Sequence, residues 1–254
     1  MTNPNFVPAR ALVLAAGRGE RMRPLTDTTP KPLLSVRGTP LLSSHLIALL
    51  HAGHQGVVIN TAWLEECITR QYGDRFSAPG SGSRALSIQY SCEGRDFGGA
   101  LETAGGIVRA LPLLDFAFWA VAGDIYIPGF DFSAEVFERF CASRFLAHLF
   151  FVPNPSHHPA GDFGLSEDGL ALHLKPGDSR PTYTYASIGV FKKAFFEAPH
   201  CPIPTANPSG IKAALAPLLR SVMDLGLVSA ELLKGNWTDV GTPERLAALN
   251  SEYS

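Results

Sequence analysis

"ALVLAAGRGERMRPLTDTTPKPLLSV", residues 11–36, decides how the rest of the chain is read. Ala11 to Ala16 form an apolar run of strand length. Gly17 and Gly19 then let the backbone turn sharply and bring bare N–H groups against a ligand. Arrays of such groups bind anions. Arg18, Arg21 and Arg23 follow, and Pro30 and Pro32 stiffen the chain on either side of Lys31. A lysine fixed between prolines is held more tightly than a surface lysine, so the loop reads as a polyphosphate site. It differs from both common phosphate loops. Met22 stands where G-x-G-x-x-G needs its third glycine, and no G-x-x-x-x-G-K-[ST] occurs in the chain, so nicotinamide chemistry and P-loop hydrolysis both lose support.

Apolar runs of the same kind recur at 56–60, 86–91, 116–124 and 146–153. Between the first two runs, Leu41, Leu42, His45, Leu46, Leu49 and Leu50 fall on one helical face, with Gly53 as its C-terminal cap. Apolar strands alternating with amphipathic helices predict an α/β fold with a mostly parallel sheet covered on both faces. "GDRFSAPGSGSRALS" and "APHCPIPTANPSG" read as surface loops. In such sheets ligands sit beyond the carboxyl ends of strands. The site is therefore expected after Ala16, after Asn60, after Ser91 and at Asp124.

The bulk properties narrow the classes. With 254 residues, 46% of them apolar, there is room for one large α/β domain or two small ones, and the absence of a repeat or linker favours one domain with two lobes. A net charge of −2 with both signs interspersed gives no footprint for nucleic acid and no basic patch for a membrane. Cys67, Cys92, Cys141 and Cys201 are scattered, without zinc spacing, and read as reduced structural thiols. The stretch "MTNPNFVPAR" lacks the basic flank of a signal peptide. The longest apolar runs fall well short of the roughly 20 residues of a membrane helix. A soluble, cytoplasmic protein is expected, its oligomeric state open with a monomer favoured.

"LAAGRGERMRPLTDTTPKPLLSVRGTPLL" resembles the signature of the sugar-1-phosphate nucleotidylyltransferases, and so do "VVINTAWL" (57–64), "LETAGGI" (101–107), "VAGDIY" (121–126), "GDFGL" (161–165) and "WTDVGTPERL" (237–246). "NTAWL", "LETAGGI" and "NPSHHPAGDFGL" most resemble the group of that family that acts on N-acetylmuramate 1-phosphate with UTP. The resemblance implies a Rossmann-like, GT-A-like single domain over 1–254, with a nucleotide-binding half at 1–130 and a sugar-binding half at 131–254. The chain ends soon after "WTDVGT", which leaves no room for a C-terminal β-helix.

The implied substrates are a nucleoside triphosphate and a sugar 1-phosphate, and the implied reaction is attack of the sugar phosphate on the α-phosphorus, with pyrophosphate leaving. Such chemistry relies on alignment and charge neutralisation. By resemblance Asp124 and Asp239 bind Mg²⁺, which prefers oxygen ligands. Arg23 grips the β- and γ-phosphates, and Lys31 neutralises the α-phosphate and the incoming phosphate. Leu14, Ala15, Ala16, Gly17 and Gly19 cradle the nucleotide, with Glu93, Leu101, Glu102 and Gly105 at the base. Most relatives have glycine where this chain has Glu102. The glycines at 98 and 99 lengthen this loop and are expected to make it flexible. Asn60, Gly164 and Lys175 face the sugar, and Leu174 replaces the glutamate that contacts sugar hydroxyls in relatives. His157 and His158 read as loop or rim residues rather than metal ligands. Trp63 and Trp237 read as core residues before base-stacking ones. The same chemistry on mannose 1-phosphate with GTP, or on glucose 1-phosphate with dTTP or UTP, is an alternative. A non-catalytic sugar-nucleotide sensor is another, and retention of both carboxylates argues against it.

Overall fold

The computed structural model describes residues 9–251. Most of the N-terminal stretch read for a signal peptide lies outside the described residues. The strands are β1 (Ala11–Leu14), β2 (Ser35–Val36), β3 (Thr39–Pro40), β4 (Gly56–Thr61), β5 (Arg75–Phe76), β6 (Leu86–Cys92) and β7 (Ala117–Ala122). They continue as β8 (Ile125–Tyr126), β9 (Ala147–Val152), β10 (Phe163–Leu165), β11 (Ala171–Leu172), β12 (Thr182–Lys192), β13 (Val228–Leu232) and β14 (Thr238–Asp239). The helices are α1 (Leu41–His51), α2 (Glu65–Tyr72), α3 (Glu93–Phe97), α4 (Glu102–Ala110), α5 (Ala134–Ala142), α6 (Leu215–Asp224) and α7 (Pro243–Ser251).

A mixed, mostly parallel sheet runs β11-β10-β12-β7-β1-β4-β6-β5, with β9 and then β13 attached to the other edge of β12. The parallel centre β7-β1-β4-β6 is the part that the apolar runs predict: β7, β1 and β4 are covered on both faces and have no polar side, while β6 nearer the edge alternates buried and exposed residues. Helices cover both faces. Trp119, Phe132, Ile59 and the α1 face fill one core, and Phe118, Phe191, Phe196 and α6 fill the other. All six predicted α1 face residues are buried. Gly53, at φ +88°, follows the helix in the left-handed region. Its N–H reaches Leu50 O at 3.2 Å while that of His54 reaches Leu49 O at 3.1 Å, which together make a Schellman cap.

The second half departs from the simple parallel reading. β12 is antiparallel to β7, β9 and β10, and its register slips between Tyr185 and Gly189. Ser187 takes φ +59° in that bulge. The segment expected as a surface loop at 198–210 is partly interior: Asn207 is 0% exposed and Cys201 and Ile203 are buried. Asn207 satisfies buried backbone, donating to Gly105 O at 3.1 Å and accepting from Ile211 N at 2.8 Å.

Candidate active site

A cleft of about 690 Å³ opens where β1, β4, β6 and β7 end. β1 stops at Leu14, so Ala15 and Ala16 already belong to the loop. Leu14, Ala15, Ala16, Gly17 and Gly19 line the cleft, as do Lys31, Asn60, Glu93, Glu102 and Asp124. Gly19 has φ +67°, and a Cβ there would press on Thr26 and Lys31, so the turn needs glycine.

The first loop is braced from outside. Arg18 lies 3.6 Å over the Trp63 ring, and both Arg18 and Trp63 donate to Thr26 O. Trp63 thus holds the loop instead of stacking on a base. Arg23, 57% exposed, is paired with Asp27 at 2.8 Å and lies outside the cleft lining. Asp27 also takes Arg18, and these two guanidinium bonds hold its carboxyl below the usual range.

Lys31 is the buried charge of the site. Its side chain is 8% exposed and its Nζ meets Asp124 Oδ2 at 2.6 Å. Asp124 follows β7, and β8 after it pairs with β14 so that Asp239 stands opposite Ile125. Val240 N donates to Asp124 O at 3.3 Å, which locks the two carboxylate segments together. Asp239 lines a second cavity of about 420 Å³ beside the cleft. Its Oδ2 takes Arg245 Nη1 at 2.9 Å, and Arg245 donates to His157 Nε2 at 2.7 Å. His157 therefore accepts as a neutral imidazole, and partial burial followed by the Arg245 charge lowers its pKa. Arg245 lies within the "WTDVGTPERL" stretch, but its role was not legible there, because its partners lie 6 and 88 positions away.

Each carboxylate is compensated by a cation on Oδ2 alone, and two carboxylates, one in the turn before β8 and one on its partner β14, are the oxygen donors a hard divalent ion completed by phosphate oxygens and water would use. Among the described residues there is no group of three or more His, Cys, Asp or Glu side chains able to hold a metal by themselves. His158 pairs with Asp162 at 3.1 Å.

Glu93 and Asn60 form a buried bracket beneath the cleft. Asn60 Oδ1 accepts from Ala15 N at 2.7 Å, and Asn60 Nδ2 donates to Glu93 Oε1 at 2.6 Å. Glu93 Oε2 accepts from Leu101 N at 2.7 Å. Both oxygens of Glu93 are thus spent on the protein, and burial raises its pKa despite those bonds. Glu93 is a positioning residue that also lines the cleft where the base contact is expected from sequence. Asn60 likewise joins the nucleotide side of the site to the third loop instead of standing at the sugar end.

Leu101 is 1% exposed, and Gly105 abuts the 211–213 backbone, so neither lines the cleft. Glu102 does line it, at φ +59°, the region glycine occupies without strain. In the glycine-bearing insertion Glu93–Phe97 form α3, and Gly98 at φ +77° caps it.

At the far end, Phe163, Tyr185, Ser187, Leu215 and Leu219 line the cleft. Gly164 lies beside them in β10, and a Cβ there would strike the Leu174 side chain. Lys175, 62% exposed, stays outside the lining and pairs with Asp224 at 3.0 Å. Trp237 donates to Ala186 O at 2.9 Å and packs against the core.

A phosphate-sized turn, a buried lysine, a carboxylate just past the parallel strand β7 and a second one on β14, which pairs with the strand that follows it, define a nucleotidyl-transferring site. The sequence profile described as "Nucleotidyl transferase" matches residues 10–254, and the chain belongs to that family of enzymes. Over 239 residues it is 42% identical to an N-acetylmuramate alpha-1-phosphate uridylyltransferase of Neisseria meningitidis, covering 93% of this chain and 95% of that one. A protein of the same name from Caulobacter vibrioides is 30% identical over 95% of this chain and 96% of its own length. The fold is shared with the inositol-1-phosphate CTP transferase of T. maritima, at a TM-score of 0.69 and 17% identity, covering 99% of this chain and 97% of that one. It is shared as well with a Bacillus anthracis structure described as a glucose-1-phosphate thymidylyltransferase, at a TM-score of 0.74 and 19% identity, over 96% and 94%.

Proposed function

We propose that the protein transfers UMP from UTP to N-acetylmuramate 1-phosphate, giving UDP-N-acetylmuramate and pyrophosphate in cytoplasmic cell-wall recycling. The observation that carries the chemistry is the Lys31–Asp124 pair set against the glycine turn at the sheet edge. The identity to the two uridylyltransferases supports the choice of substrates. No helix among the described residues is long and apolar enough to cross a membrane.

In this reading residues 1–130 hold the nucleotide and 131–254 the sugar. The N–H groups of the 15–19 turn receive the triphosphate, and Arg23 leaves Asp27 to grip its terminal phosphates. Lys31 neutralises the charge that builds on the α-phosphate as the sugar phosphate oxygen attacks and pyrophosphate departs. Asp124 and Asp239 would hold Mg²⁺, which supplies further neutralisation of the phosphate oxygens. The Asn60–Glu93 bracket keeps the first and third loops at a fixed separation, so the reacting groups are aligned before chemistry.

The test is pyrophosphate release in Mg²⁺ across the four ribonucleoside triphosphates and dTTP, against the 1-phosphates of N-acetylmuramate, N-acetylglucosamine, glucose and mannose. Turnover confined to UTP with N-acetylmuramate 1-phosphate is expected. Turnover with another pair would keep the mechanism and replace the substrates, as in the relatives named for mannose and glucose 1-phosphates. Nucleotide binding without turnover on any pair would leave a sugar-nucleotide sensor.

A further inference from the structure

α6 enters the cleft by its first turn, where Leu215, Ala216 and Leu219 form part of the wall. Arg220 follows Ala216 by four residues, so the two share a side of the helix. Helical side chains lean back over the preceding turn, which carries this guanidinium toward the cleft end of α6. Its carbon sits 5.7 Å from the centre of the Phe163 ring, and Phe163 also lines the cleft.

The half-buried Arg220 has no carboxylate within ion-pair distance among the described residues. Its natural partner on the helix is Asp224, four residues on. That carboxylate is taken instead by Lys175, at 3.0 and 3.3 Å, and by His173 at 3.3 Å. Beside Phe163 stands Gly164, covered by the Leu174 side chain. The sugar end is thus largely apolar apart from the Asp162 carboxylate, whose oxygens are engaged by His158 and Tyr185 N, and Arg220 stands next to that lining, beside Phe163, without a carboxylate of its own, a setting that favours an anion able to take two hydrogen bonds.

Among the sugar 1-phosphates considered, N-acetylmuramate alone carries a second anion besides its phosphate. It is the carboxylate of the lactyl ether, next to a methyl group. We propose that Arg220 binds this carboxylate while Leu174 and Phe163 receive the methyl, so that Arg220 sets the sugar specificity of the enzyme. The inference rests on the N-acetylmuramate reading above.

The experiment measures KM and kcat with UTP for N-acetylmuramate 1-phosphate and for its lactyl amide, which is neutral at that position. Wild type, Arg220→Gln and Arg220→Lys are compared, with thermal midpoint and UTP binding as folding checks. Wild type is expected to prefer the carboxylate. Arg220→Gln is expected to raise KM for the carboxylate by roughly tenfold or more, with kcat little altered and the preference lost. Arg220→Lys, which keeps the charge, is expected to recover part of it and supplies the reading should the glutamine variant fail to fold. A wild type indifferent to the amide, variants that keep the preference, or an equal loss on both sugars would each overturn the inference while leaving the proposed reaction standing. No turnover of either sugar by wild type would overturn the proposed reaction itself.

Discussion

Lys31 Nζ lies 2.6 Å from Asp124 Oδ2 and joins the first loop to the end of β7 across 93 positions of sequence. The lysine is nearly buried and the aspartate half-open, so the pair is neutral at rest and can exchange partners when phosphate and metal arrive. Asp124→Asn keeps the side-chain volume and an acceptor for Lys31, so the fold is expected to persist while turnover in Mg²⁺ falls by about 10² or more. Substantial retained activity would remove Asp124 from the metal ligands. Lys31→Met is expected to lower kcat by a similar factor with a smaller effect on UTP binding, because its charge is needed most in the transition state.

The Asn60–Glu93–Leu101 bracket makes a prediction of its own. Glu93→Ala leaves Asn60 Nδ2 and Leu101 N without their acceptor in a buried site, at a cost of about 1–3 kcal/mol for each such group, read as a lower urea midpoint. Burial raises the folded pKa of Glu93 above its unfolded value, so folding takes up a proton between the two. Wild-type stability should therefore fall relative to Glu93→Gln as pH rises from the ordinary glutamate value through that elevated one. Parallel stability profiles for the two proteins would contradict the assignment.

Glu102 occupies a backbone conformation that suits glycine. Glu102→Gly is expected to stabilise the protein by about 1 kcal/mol through relief of strain, measured by urea unfolding. Its carboxylate lines the cleft, so the same change is expected to weaken discrimination among nucleoside triphosphates.

His45 is buried in α1, and its Nε2–H donates to Ile125 O at 3.1 Å, holding the strand that follows Asp124. Burial lowers its pKa from 6.5 to about 4. The unfolded chain then binds the proton more readily than the folded one, so stability is lost as pH falls from 6.5 toward 4, by up to about 3 kcal/mol. His45→Gln should remove this acid-sensitive component in unfolding curves taken across that range.

The parallel centre of the fold was legible because β1, β4 and β7 are covered on both faces, which writes them as unbroken apolar runs, and because α1 repeats its six buried positions with helical spacing. The turn after β1 was legible because its glycines, arginines and prolines serve local geometry. Side-chain partners were harder to read. Nothing near Lys175 announces Asp224, 49 positions on, and nothing near Glu93 shows that both its oxygens face the protein. The 198–210 segment looks like a surface loop because its prolines and polar residues imply solvent, yet Asn207 is interior because it caps buried backbone. Such choices are fixed by distant segments meeting, and a single sequence does not record the meeting.

β14 has two residues, and α7 after it has no fully buried side chain, its hold on the body resting on Leu246, Leu249, the Asn250 contacts with Ser35 and Arg37, the Arg37 bond to Leu249 O and the Arg245 bond to His157. Asp239 rides on this last segment, whereas Asp124 is rooted in the sheet. The C-terminal end can therefore peel away without opening the main cores, and amide exchange there is expected to be faster than in β1 or β7. On the proposed metal-holding role of Asp239, a small local equilibrium would govern turnover, and activity is expected to fall on warming before the chain unfolds.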